Sequence, residues 1–76
     1  MDIKTFCALE NELAQTHAGL ADELGLSEIS IKRMATGAQV INDRTARQLI
    51  ARVLIEREGK SELFSKLLAK YHGDTL

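Results

Sequence analysis

Four residues within a 22-residue window leave this chain little choice of local structure: Thr16, Gly25, Ser27 and Gly37. They come in the order cap, stop, cap, stop. A Thr or Ser oxygen accepts from the unpaired amides of a helix's first turn. Glycine enters the left-handed conformation that ends a helix without a Cβ clash. The window therefore predicts two short helices, over 17–24 and 28–36, joined by a tight turn at Gly25. Leu20, Ala21, Leu24, Leu26, Ile31 and Met34 recur at three- to four-residue intervals and form their shared apolar seam. That period excludes a strand, which would alternate every second residue. Small Ala21 lets the two helices cross closely, and Ile31 locks the second onto the first.

The flanking segments read the same way. Asp2 caps a helix over about 3–14, with Ile3, Phe6, Leu9 and Leu13 on its buried side. Glu10 and Glu12 fall on other faces and are expected in solvent, while Cys7 and Ala8 fill small spaces in or near the core. Residues 38–42 form a loop from which Val40 and Ile41 are expected to fold back onto the core. Asn42 or Asp43 opens a fourth helix, about 43–57, with the stripe Ala46, Leu49, Ile50, Val53 and Leu54. Arg44, Arg47, Gln48 and Arg52 lie outside that stripe, and Arg52 is placed to pair with Glu56 one turn on. Gly59 interrupts the helix, and Ser61 caps a fifth over about 62–72 with the stripe Leu63, Phe64, Leu67, Leu68 and Tyr71. Gly73 is expected to stop it, with residues 74–76 frayed. The chain has no proline. The fold class expected is all-α, one compact four- to five-helix domain spanning residues 1–76.

Composition narrows the function. Cys7 is the sole cysteine and the two histidines, His17 and His72, are far apart, so neither an internal disulfide nor a zinc site is expected. No nucleophile with its base, metal cluster or glycine-rich phosphate loop is present, so no enzyme, no metal and no cofactor are expected. Neither a secretory leader nor a run of roughly 20 apolar residues is visible, and a cytoplasmic location is expected. The net charge is −1, but its distribution is uneven. Residues 1–29 hold one lysine against six carboxylates, whereas residues 30–57 hold Lys32 and all five arginines against two. Such asymmetry suits a protein with one anion-facing side.

The LADELGLSE run at 20–28, Ile31 in the next helix and the Thr36–Gly37 pair together resemble the Cro/C1-type (XRE-like) helix-turn-helix family of phage-repressor-like DNA-binding regulators. The motif covers 16–37, and the lambda-repressor-like helix layout extends the likeness, less specifically, over most of the chain. The resemblance implies that helix 28–36 enters the major groove. Glu28, Ile29, Lys32, Arg33 and Thr36 would then be the base-contacting edge. Lys32 or Arg33 suits guanine O6 and N7, Glu28 suits cytosine N4, and Ile29 suits a thymine methyl. Thr16, His17, Ser27, Gln39, Asn42 and Arg44 would meet the DNA backbone. His17 stands where the family often carries a phosphate-binding Gln, and it is equally compatible with a plain helix-start role. Ile29 has its own alternative, burial under the turn.

One recognition helix covers few base pairs, so specificity implies a homodimer on two half-sites of a palindromic double-stranded operator. The helix at 62–72 is a candidate dimerisation element, though its stripe is equally able to finish the monomer core; the first helix is the other candidate surface. The expected function is a sequence-specific regulator, a repressor acting by promoter occlusion, with no membrane association and no small-molecule ligand. The alternative is a protein-interaction module, or an antitoxin, that keeps the fold and binds a protein partner. The negative net charge and the modest basicity of helix 28–36 motivate it.

Overall fold

In the computed structural model, residues 1–72 are described, the side chain of His72 excepted. The expected stop at Gly73 and the fraying of 74–76 lie outside the described residues. Five helices follow in order: α1 Ile3–Leu13, α2 His17–Leu24, α3 Glu28–Thr36, α4 Asp43–Arg57 and α5 Ser61–His72. No strand occurs among the described residues. The fold is all-helical.

Cap chemistry sets most boundaries. Asp2, Thr16, Ser27 and Asn42 each accept from the amide three residues on, at 2.7, 2.9, 3.1 and 2.8 Å. Gly25 and Gly37 end α2 and α3 in left-handed backbone, with φ of 66° and 86°. At Gly25 the Leu26 amide also reaches back to the Ala21 carbonyl at 2.9 Å, so the turn consumes acceptors that α2 would leave open. Gln15, between the C-cap Ala14 and the N-cap Thr16, takes the same left-handed region (φ 65°), where nothing in its side chain signalled it. Ser61 departs from expectation. It is the first residue of α5, not its cap; the Lys60 carbonyl takes the first helical bond, and the Ser61 hydroxyl donates to Glu56.

The core lies where α1, α2, α3 and α4 meet, centred on the fully buried Phe6, Leu20, Ile31, Met34 and Leu49. Burying each such side chain contributes about 1.5–3 kcal/mol, against about 1 kcal/mol for a cap. Packing, more than capping, therefore holds the helices together. α2 and α3 pack on each other, α1 lies across α3 and α4, and α4 also supports α2. Among the described residues α5 packs on α4, and its Phe64, Ser65 and Leu68 border a groove with Asp22 and Glu23 of α2. Cys7 is half-buried and its thiol donates to the Ala35 carbonyl at 3.7 Å.

Several apolar expectations fail in one direction. Ile3 is largely exposed at the edge of α1, and Ala8 is exposed. Val40 is 83% exposed, because Ile41 alone turns inward from the 38–42 loop. Ile50 and Leu54 face solvent instead of the core, and on α5 Leu63, Leu67, Leu68 and Tyr71 are exposed, with only Phe64 half-buried. The 15-residue α4 packs on α1, α2 and α5 through Thr45, Ala46, Leu49, Arg52 and Val53, a face rotated from its apolar stripe, whereas the 12-residue α5 has less partner surface than its stripe offers.

The charged residues correct in the opposite direction. Glu10, expected in solvent, is buried and bonded to His17. Arg52, expected outside the stripe and paired with Glu56, is 7% exposed and bonded to Glu23 on α2. Its guanidinium lies 4.0 Å from the centroid of the Phe64 ring. Glu12 remains exposed but is bound by Arg57 through two hydrogen bonds. No described helix is long and apolar enough to cross a membrane.

Candidate nucleic-acid interface

α3 is held by its inward side. Ile31 and Met34 are buried and Ala35 is half-buried. At 100° per residue, that leaves Glu28, Ile29, Lys32, Arg33 and Thr36 on one outward face, and all five are exposed. Ile29 is 62% exposed, which removes burial under the turn. Lys32 and Arg33 have no ion-pair partner among the described residues, so their donors face solvent uncommitted. Glu28 in the first turn and Arg33 in the last both agree with the helix dipole. Thr36 is the least available of the five: its hydroxyl donates to the Lys32 carbonyl at 2.9 Å, leaving its methyl and lone pairs outward.

The six side chains expected at a DNA backbone are divided differently. Thr16, Ser27 and Asn42 already use an acceptor oxygen in capping. A phosphate needs donors, and the Thr16 hydroxyl hydrogen and the Asn42 amide NH2 keep that capacity. The Ser27 hydroxyl instead donates to Ser30 Oγ at 3.0 Å, a contact the spacing gave no reason to single out. Asn42 and exposed Arg44 line one groove of about 380 Å³ beside the Gly25 turn, together with Leu24, Leu26, Thr45 and Gln48. Gln39 is not part of it. It lies half-buried in a separate groove with Met1, Ile3, Gly37 and Val40.

His17 opens α2 and is oriented from below. Its Nδ1 lies 2.7 Å from Glu10 Oε2, whose side chain is nearly buried. With Nδ1–H donated to the carboxylate, Nε2 is the ring nitrogen left for an outside partner. Glu10 is the functional residue that sequence reasoning missed. Its spacing carried the signal, since Phe6, Glu10 and Leu13 fall at i, i+4 and i+7 on one side of α1.

The clustering of arginines does not become a strongly positive face. Asp43 holds Arg47 at 2.8 Å, Glu23 holds Arg52 and Glu12 holds Arg57. Arg33 and Arg44 remain unpaired among the described residues. Hydrogen bonds from Arg57 keep the Glu12 carboxyl below its ordinary value, and hydrogen bonding from Thr5 does the same for Asp2. Against these local arrangements, no family model, no curated protein and no solved structure matches the chain.

Proposed function

We propose that this protein is a sequence-specific, double-stranded-DNA-binding regulator of the Cro/C1 type, working as a homodimeric repressor on a palindromic operator. α3 reads the major groove through Glu28, Ile29, Lys32, Arg33 and Thr36. Thr16, His17, Asn42 and Arg44 meet phosphates, with Ser27 and Gln39 in lesser positions. The observation that carries this reading is a single one. Five side chains able to read bases share one exposed face of a nine-residue helix whose other face is locked to α2 across the Gly25 turn. A short helix held rigidly by its back, with uncommitted basic donors on its front, fits a groove. One observation favours the second reading, an interaction module or antitoxin that binds a protein: that front carries a formal charge of only +1, from Lys32, Arg33 and Glu28.

Selection of bound sequences from a random duplex pool tests the proposal. Two-fold symmetric hits, with affinity falling steeply as salt rises, are expected. Absence of binding to any duplex at low salt, in a folded protein, overturns it and leaves the protein-binding alternative. Arg33→Ala is expected to weaken binding to the selected site by about 1–3 kcal/mol, or roughly 5- to 150-fold. Its melting temperature should match the parent's, because Arg33 is exposed and makes no ion pair among the described residues. Unchanged affinity removes Arg33 from the contact set.

A further inference from the structure

We infer that Glu10 is a positioning residue for His17, and that contact between His17 and a DNA phosphate requires the uptake of one proton, so that duplex binding strengthens as pH falls. This rests on the DNA-reading proposal above and adds a condition to it.

His17 is the first residue of α2, beside the Thr16 cap. Its Nδ1 lies 2.7 Å from Oε2 of Glu10 on α1. The Glu10 side chain is 8% exposed and that of His17 36%, so the ring stands between a buried carboxylate and solvent. Three helices pack on α2, namely α1, α3 and α4. Among the described residues, Glu10 is the one charged group on them that bonds to the ring, and the ring is the one side chain bonded to Glu10. A buried carboxylate with a single partner is costly to leave without it, so the pair is expected to persist when the protein meets DNA.

The consequence follows from counting protons. One proton between Nδ1 and Oε2 makes that bond, whichever of the two atoms carries it. A phosphate oxygen is an acceptor, so it needs a second proton, on Nε2. With the first proton alone, Nε2 turns a lone pair toward the phosphate and repels it. With both, the ring bridges Glu10 and the phosphate through charge-assisted hydrogen bonds. A neutral histidine free of Glu10 escapes this condition by moving its single proton to Nε2. The ionised carboxylate only accepts, so it excludes that tautomer while the pair is intact. The start of α2 disfavours a cation on the ring but favours an anion in front of it. Glu10 behind and phosphate ahead therefore hold the second proton together, and neither charge alone is placed to do so. A bound state holding one more proton per chain gains affinity in acid, by up to about tenfold per pH unit per chain.

Affinity of the full chain for a selected duplex, measured at fixed salt from about pH 5.5 to about pH 8, tests the inference. The parent's Kd is expected to rise with pH, by up to about tenfold per unit per chain. Glu10→Gln is expected to flatten this dependence. Its amide turns an NH2 toward Nδ1, so neutral His17 carries its proton on Nε2 and donates without uptake. His17→Gln, a donor at any pH, is expected to be flat as well, whereas His72→Gln should behave as the parent. In the free chain at the alkaline end, nitrogen NMR of the His17 ring is expected to place the proton on Nδ1 in the parent and to show it shifted toward Nε2 in Glu10→Gln. A parent that binds duplex with pH-independent affinity overturns the inference, whether or not the variants fold, and leaves the DNA reading standing. A neutral ring protonated on Nε2 in the free parent overturns it too. So does a pH dependence that survives either His17→Gln or Glu10→Gln. A chain that binds no duplex at any pH fails the DNA reading itself, and this inference with it.

Discussion

The Glu12 carboxylate accepts from Arg57 Nε at 2.6 Å and from Nη2 at 2.8 Å, joining the end of α1 to the end of α4. The pair is exposed, and it depends on Glu12 being ionised. Because hydrogen bonding to Arg57 lowers the Glu12 pKa in the folded chain, its contribution is present above the unfolded carboxyl value. It is lost as pH falls through the lower folded value. Asp2, lowered by Thr5, behaves likewise. Thermal melts from neutral pH to about pH 2 are therefore expected to show stability falling below about pH 4. Glu12→Gln should melt below the parent at neutral pH, and the gap should close in acid. A gap that persists unchanged at the lowest pH would show that the side chain acts through packing alone.

At the level of the helices, four N-caps and both glycine stops of the central motif were legible in the sequence. Each depends on atoms within four or five residues of one another. Gly25 is the sharpest case. Its φ of 66° suits glycine, and no neighbour would crowd a side chain there, so the backbone conformation alone sets the cost of substitution. Gly25→Val is expected to destabilise the fold by about 1–3 kcal/mol, seen as a lower midpoint in urea. An unchanged midpoint would mean that α2 does not need this turn to end. The outward face of α3 was legible for the same local reason, because helical period alone divides Ile31 and Met34 from Lys32 and Arg33. The partners of Glu10, Glu23 and Arg52 were not. Arg52 and Glu23 are 29 positions apart, and which helix covers which is decided by packing. The apolar stripe of α4 was placed about half right: Ala46, Leu49 and Val53 are buried, but Thr45 and Arg52 take the places expected for Ile50 and Leu54, and on α5 period could not say how little of the stripe finds a neighbour.

Across the whole molecule, the segregation of charge along the chain has a structural use. Acidic α1 and α2 are tied to arginine-bearing α4 by Glu12–Arg57 and Glu23–Arg52. The second tie is partly buried and asymmetric: the Arg52 side chain is 8% exposed and that of Glu23 38%. Arg52 Nη1 is buried with no hydrogen-bond partner among the described residues. Removing the two partners should therefore cost different amounts. Glu23→Ala leaves a buried, uncompensated cation and is expected to cost about 2–3 kcal/mol, somewhat below a fully buried pair. Arg52→Met leaves a part-solvated carboxylate and an apolar side chain under Phe64, and is expected to cost less than half as much. Equal costs in chemical denaturation would show that desolvation of Arg52 is not what the pair offsets.

The way α3 is held, by its inward side alone, reaches beyond stability. On the reading proposed here, the five outward side chains of α3 choose the sequence bound, and none of them takes part in the core. A duplicated gene could then change its address while keeping its fold. Transplanting the five outward residues of α3 from one such protein to another would redirect binding without lowering the melting temperature.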